Sequence, residues 1–118
     1  MLLNLSNHPS TAWSEEQLRA GREQYGEVQD MPFPNVPPEA DLEEVGRLAT
    51  DYAHRIYALS PRPLAVHVMG EMTFTYQLVS LLREAGVMCV ASTTVRDVVE
   101  EDGVKISRFR FVRFRPYF

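Results

Sequence analysis

The 118-residue sequence predicts an α/β domain, a mainly parallel sheet flanked by helices and finished by a C-terminal β-hairpin. Three observations carry that expectation. Short apolar runs alternate with segments of helical spacing in the order β-α-β-α-β-α-β, which implies parallel strands joined by right-handed crossovers. Three of the runs stop abruptly in small polar clusters: Ser6-Asn7-His8-Pro9, Met69-Gly70-Glu71-Met72-Thr73 and Ser92-Thr93-Thr94-Val95-Arg96. After Ser92 the helix signals cease, and two strand-like stretches flank Asp102-Gly103, a hairpin turn pair.

The first strand is Leu2-Leu3-Asn4-Leu5. Ser14-Glu15-Glu16-Gln17 reads as a capping box, with a hydroxyl at the N-cap and Gln at N3. Leu18, Gly21 and Tyr25 share one face of that helix, and Gly26 suits its cap. A second strand covers roughly 27–31. From Met31 to Pro38 the chain is too proline-dense for helix or strand, so a rigid extended loop follows. Asp41 and Glu44 open the second helix, where Leu42, Val45, Leu48, Ala49, Tyr52, Ile56 and Leu59 keep helical spacing up to Ser60-Pro61-Arg62-Pro63. The nearly continuous apolar run 64–68 suits a strand covered on both faces. A third helix, about 73–85, is apolar on most sides and belongs against the sheet. Residues 87–91 form the fourth strand. In the last strand arginines 108 and 110 alternate with phenylalanines 109 and 111, and the alternation slips at Val112, where a bulge is expected.

Length and composition bound the function. The chain is a single domain, 1–118, with an ordinary apolar content for a globular protein. Its longest apolar run is far too short to span a bilayer, and its start lacks the basic and long apolar regions of a signal peptide. The one cysteine, Cys89, lies in an apolar run and reads as a core residue of a cytoplasmic protein. The net charge of −4 is uneven: Gly103 to Phe118 holds five basic residues and no acid, whereas residues 1–102 hold 7 basic and 16 acidic groups. So acidic a chain is not expected to coat long nucleic acid, although its basic last strand suits a small anion. The same arginines also fit the solvated face of an amphipathic strand.

If the apolar runs are parallel strands, the three clusters share one sheet edge, where open α/β sheets bind ligands. Ser6 and Asn7 offer neutral hydrogen-bonding groups, and His8 is the residue type suited to proton transfer near neutral pH. Gly70 at a strand-to-helix junction lets an anion approach backbone N–H groups, and Thr73 adds a hydroxyl. Glu71 would repel that anion and reads better as a stabiliser of its helix dipole. Ser92 and Thr93 can cradle a phosphate while Arg96 clamps it. His67, inside an apolar run, and His54, on the polar side of a helix, read as structural. No metal-binding Cys/His spacing and no acidic cluster suited to Mg²⁺ is present, and neither cofactor nor metal is expected. Hydroxyls with one His and one Arg suit phosphodiester chemistry in which an RNA 2′-hydroxyl is the nucleophile and the protein aligns it and stabilises charge.

Asn4-Leu5-Ser6-Asn7-His8-Pro9, Gly70-Glu71-Met72-Thr73, Ser92-Thr93-Thr94 with Arg96, and the ending from Phe109 to Tyr117 resemble the small stand-alone CRISPR-associated proteins related to the CARF domain. The resemblance spans nearly the whole chain. It implies a Rossmann-like, CARF-like sheet, a homodimer, and a cyclic oligoadenylate bound across the dimer axis. Several members of that family are ring nucleases, which cut this messenger without metal and switch off type III CRISPR antiviral signalling. The resemblance sets Ser6, Asn7, His8, Gly70, Thr73, Ser92, Thr93 and Arg96 around the ligand. His8 is the preferred acid/base, with Ser6 and Thr93 aligning ribose and phosphate. Two other classes stay open: a module that holds the ring without cutting it, and an interaction subunit with no nucleotide ligand.

Overall fold

β1 (Leu2–Ser6) lies inside a five-stranded sheet of order β2-β1-β3-β4-β5 in the computed structural model, which describes residues 1–118. β2 is Val28–Asp30, β3 Ala65–Met69, β4 Cys89–Glu101 and β5 Val104–Pro116. β1 to β4 are parallel, and β5 is antiparallel to β4. The sheet is therefore mixed, flanked by α1 (Glu15–Tyr25), α2 (Leu42–Tyr57) and α3 (Met72–Glu84). The chain steps from β1 to β2 on one side, then crosses back over β1 to reach β3. That reversal puts α1 on one face and α2 with α3 on the other, and it opens a crevice beyond the carboxyl ends of β1 and β3.

Strand alternation sorts the core into two layers. Leu3, Leu5, Val66, Val68 and Cys89 pack on Val45, Ala49, Ile56, Phe74, Leu78 and Leu82 of α2 and α3. Leu2, Ala65, Val90 and Phe114 pack with Trp13 under α1. The helix starts follow the sequence. Ser14 Oγ accepts from Gln17 N at 3.2 Å, and Asp41 Oδ1 accepts from Glu44 N at 2.8 Å. α2 stops at Tyr57, so Leu59 lies beyond it, and Leu42 at its first position faces solvent. No helix is long and apolar enough to cross a membrane.

The fourth strand departs from expectation. It does not end near Ala91 but continues to Glu101, because β5 pairs with it all the way from Val90↔Pro116 to Glu101↔Val104. β3 pairs only with Cys89 and Val90. The remainder of β4 and most of β5 thus form a two-stranded ribbon that projects past the rest of the sheet. Ser92-Thr93-Thr94 lies within a strand, not beyond one, which suits β-branched threonine. Asp102 and Gly103, at φ 51° and 78°, close the hairpin as a two-residue turn of the primed kind.

The bulge falls where the alternation slips. Thr93 opposes Arg113 and Thr94 opposes Phe111, so Val112 is the extra residue. Its effect is to keep one face of β5 aromatic. Phe114 and Phe111, three residues apart, come to the same face with ring centroids 5.0 Å apart, and Phe109 follows them. Arg108, Arg110, Arg113 and Arg115 take the opposite face. Without the extra residue the phenylalanines before and after it would point to opposite sides.

Candidate functional site

The α1 face of the sheet carries a buried polar hub at its carboxyl end. Asn4 and His67 are register partners on β1 and β3, and both side chains are buried. The Asn4 amide nitrogen donates to Asp30 Oδ1 at 2.8 Å and to the His8 carbonyl at 2.9 Å. Both of those partners are acceptors only, so the amide orientation is fixed and its oxygen must accept. It does so from Ser6 Oγ at 2.8 Å and faces His67 Nδ1 at 2.9 Å. His67 therefore carries its proton on Nδ1, leaving Nε2 as a bare lone pair. Nε2 is buried and has no partner. Burial, and secondarily the neighbouring His8, lower the His67 pKa from 6.5 to about 4. Burial alone would raise the Asp30 pKa, but hydrogen bonds from Ser10 and Asn4 outweigh it and the net shift is downward.

Above this hub lies a pocket of about 800 Å³. Its floor is the sheet itself: Ser6 of β1, His67 and Met69 of β3, Ser92 and Thr94 of β4, then Phe111 and Phe109 of β5. Asn7, His8 and Trp13 build one wall with Ser14 and Gln17 at the start of α1. The His8 carbonyl pins that wall, accepting from Asn4 Nδ2 and Trp13 Nε1, while the His8 N–H donates to Ser6 Oγ at 3.3 Å. Trp13 and Phe114 meet the His67 ring edge to face, with centroids 5.2 and 5.6 Å away. Hydroxyls, imidazoles and aromatic rings thus converge in one crevice, a set suited to a planar ring with polar substituents.

Five of the eight residues expected at the site line this pocket: Ser6, Asn7, His8, Gly70 and Ser92. Ser6 does so with its hydroxyl already engaged by Asn4 and the His8 backbone. Gly70 is required by packing, because the Phe33 ring stands where a Cβ would be. Thr73 is not in the pocket. Its backbone N–H and hydroxyl both go to Glu71, whose carboxylate also accepts from Phe74 N at 3.0 Å and caps α3. Hydrogen bonds from the Thr73 side chain and the Phe74 backbone lower the Glu71 pKa. The negative charge that seemed to repel a ligand is what the helix end already holds.

Thr93 and Arg96 are also outside the lining, for different reasons. Thr93 has the wrong parity on β4: its side chain lies on the arginine face and donates to the Arg113 carbonyl at 3.2 Å. Thr94 takes its place in the pocket. Arg96 has the right parity, directly opposite Phe109, but its guanidinium turns along the ribbon to Ser107 Oγ at 2.9 and 3.1 Å. It stands at the rim with no carboxylate partner, unlike Arg108 and Arg110, which pair with Glu101 and Asp97. Sequence reasoning missed Trp13, Thr94, Phe109 and Phe111 as lining residues. His67, read from the sequence as structural, is buried against Asn4 and is also part of the floor. Its position opposite Asn4, two polar residues inside apolar runs, was the available signal.

Two further depressions adjoin the pocket. One of about 570 Å³ shares Met69 and Gly70 with it, and one of about 490 Å³ under the proline-rich loop shares Ser6 and Asn7. A groove of about 660 Å³ between α2 and α3 is lined largely by solvated polar side chains and touches none of the three clusters. Nowhere do three His, Cys, Asp or Glu side chains converge as metal ligands would.

The model of the uncharacterized protein MJ1673 family matches residues 1–115. The chain belongs to that family. No match was found among curated proteins or among solved structures. The MJ1673 match covers every residue of the hub and the pocket, so the whole site lies within the family's extent in this chain.

Proposed function

We propose that this pocket holds part of a cyclic oligoadenylate, the four-nucleotide ring, and that the protein is a metal-independent ring nuclease. The observation that carries the reading is the meeting of Trp13, Phe109 and Phe111 with Ser92, Thr94, His8 and His67 at the carboxyl edge of the sheet. Aromatic rings stack bases, and the polar groups suit ribose and phosphate. The strand order, reversing between β1 and β3, supports a Rossmann-like, CARF-like frame. Cleavage runs by transesterification: the substrate's 2′-hydroxyl gives up its proton and attacks the adjacent 3′-phosphate, the bond from phosphorus to the next nucleotide's 5′-oxygen breaks, and that oxygen takes a proton, leaving a 2′,3′-cyclic phosphate and a 5′-hydroxyl. His8 serves as the general acid/base, Ser92 and Thr94 align the phosphate, and Arg96 reaches in from the rim. Destroying the ring would end type III CRISPR antiviral signalling.

A homodimer completes this reading, because a ring of four nucleotides matches a two-fold axis. The ribbon supports it. An isolated two-stranded ribbon is marginal in water, yet this one leaves Val98, Val104 and Phe109 exposed at 57%, 60% and 72%. Light scattering at micromolar protein with ligand present should give twice the monomer mass, and a monomer alone would remove the two-fold arrangement.

The decisive experiment incubates the protein with labelled cyclic tri-, tetra- and hexa-adenylate in EDTA. The tetra-adenylate should open to linear products ending in 2′,3′-cyclic phosphate, and His8→Ala should slow single turnover by about 10²–10⁴-fold. Activity that vanishes in EDTA and returns with Mg²⁺ or Mn²⁺ would defeat the mechanism. One observation favours a second reading, that of a module holding the ring uncut: no hydrogen bond orients the exposed His8 side chain. Tight binding with the ring intact would decide for it.

A further inference from the structure

We propose that His67 Nε2 is a built-in hydrogen-bond acceptor that selects bases presenting an amino N–H to the pocket, adenine over hypoxanthine. The inference rests on the nucleotide reading above and adds to it a specificity-determining residue.

The argument begins with the tautomer. Asp30 and the His8 carbonyl fix the Asn4 amide, the amide oxygen fixes the proton on His67 Nδ1, and Nε2 is left able only to accept. The ring cannot rotate to another solution, being held between Trp13 and Phe114 with 2% of the residue exposed. A buried acceptor without a partner is costly, and native proteins leave few of them. This one belongs to a residue that lines the floor of a crevice walled by aromatic rings. A base seated there that offers an amino group satisfies the acceptor. A base offering a carbonyl sets two lone pairs against each other, and a base offering only C–H leaves Nε2 unpaired. Water does not reach Nε2 in the free protein, so the ligand must displace a neighbour. Trp13 and Phe114, the rings packed on His67, are the neighbours whose shift would admit it.

Three uncleavable probes test this: AMP, purine riboside 5′-monophosphate, which lacks the amino group, and IMP, which carries a carbonyl in its place. AMP should bind the wild-type protein about ten- to a hundredfold more tightly than the other two. His67→Phe, which keeps the ring but removes the acceptor, should shrink the preference to within about threefold. Asn4 Oδ1 keeps its bond from Ser6 in that variant. Should His67→Phe fail to fold, nitrogen NMR of the wild type replaces it: the unprotonated Nε2 resonance must shift with AMP and stay put with purine riboside monophosphate. Equal affinity for all three probes overturns this inference and leaves the nucleotide reading standing. No binding of any probe at millimolar concentration removes both.

Discussion

Phe74→Ala should lower stability by about 3–5 kcal/mol, the range for truncating a fully buried phenylalanine. Phe74 is 0% exposed on α3 and joins the helix layer to the sheet. Phe33 and Tyr52 meet it edge to face, with centroids 5.2 and 5.6 Å away and planes at 80° and 87°. The substitution forfeits those contacts and opens a cavity between three elements. Denaturant unfolding should show a lower midpoint at unchanged slope, and the melting temperature should drop by roughly 10–20 °C for a chain of this size. A loss below about 1 kcal/mol would mean that the layer collapses onto the gap. The effect should also reach the pocket, because Phe33 packs on both Phe74 and Gly70.

The fold was legible where one local signal decided one local outcome. Ser14 with Gln17 and Asp41 with Glu44 start α1 and α2 because a side-chain oxygen three residues ahead of a free N–H satisfies it whatever surrounds the pair. The Asp102-Gly103 turn and the Val112 bulge were legible for the same reason. The length of β4 was not. Its extension past Ala91 depends on β5 returning alongside it, a partner more than ten residues away, and the hydroxyl-rich run imitates a strand end. Nothing local distinguishes a strand that stops from one that leaves the sheet as a ribbon.

That single difference explains most of how the pocket lining differs from the expected set. A loop at 92–96 would let Ser92, Thr93 and Arg96 converge; a strand sends Thr93 to the opposite face and brings Thr94, Phe111 and Phe109 into the pocket instead. The surroundings of Gly70, which lines the pocket, and of Thr73, which does not, were illegible for another reason. A glycine and a threonine before a helix look the same in sequence whether a phosphate or a neighbouring side chain fills the space. Here Phe33 lies over Gly70, and Glu71 has taken the helix N–H groups. The Asn4–His67–Asp30 hub needed the register of three strands, which no short-range pattern contains.

Acid should destabilise the protein well above the range in which carboxylates titrate, and His67 is the reason. Its pKa is about 4 in the folded chain against 6.5 for the unperturbed group, lowered first by burial and then by His8. The unfolded chain therefore takes up a proton at this residue as pH falls through 6.5, while the folded chain stays neutral until about 4. Stability from the neutral, buried ring is fully present above the unfolded value and drains away across that window. At 1.36 kcal/mol per unit the whole displacement is worth about 3 kcal/mol, and about 2 kcal/mol of it should go between pH 7 and pH 5. Asp30 and Glu71 have lowered pKa values, so their contributions are lost further into acid, as pH falls through the ordinary carboxylate range and below it. The upper half of the window thus belongs to His67. Urea unfolding of the wild type and of His67→Phe at the two pH values isolates it: the wild type should lose stability and the variant should stay nearly level. Equal losses in both would assign the acid sensitivity to other groups, and a level wild type would mean that the ring protonates in place near its ordinary pKa.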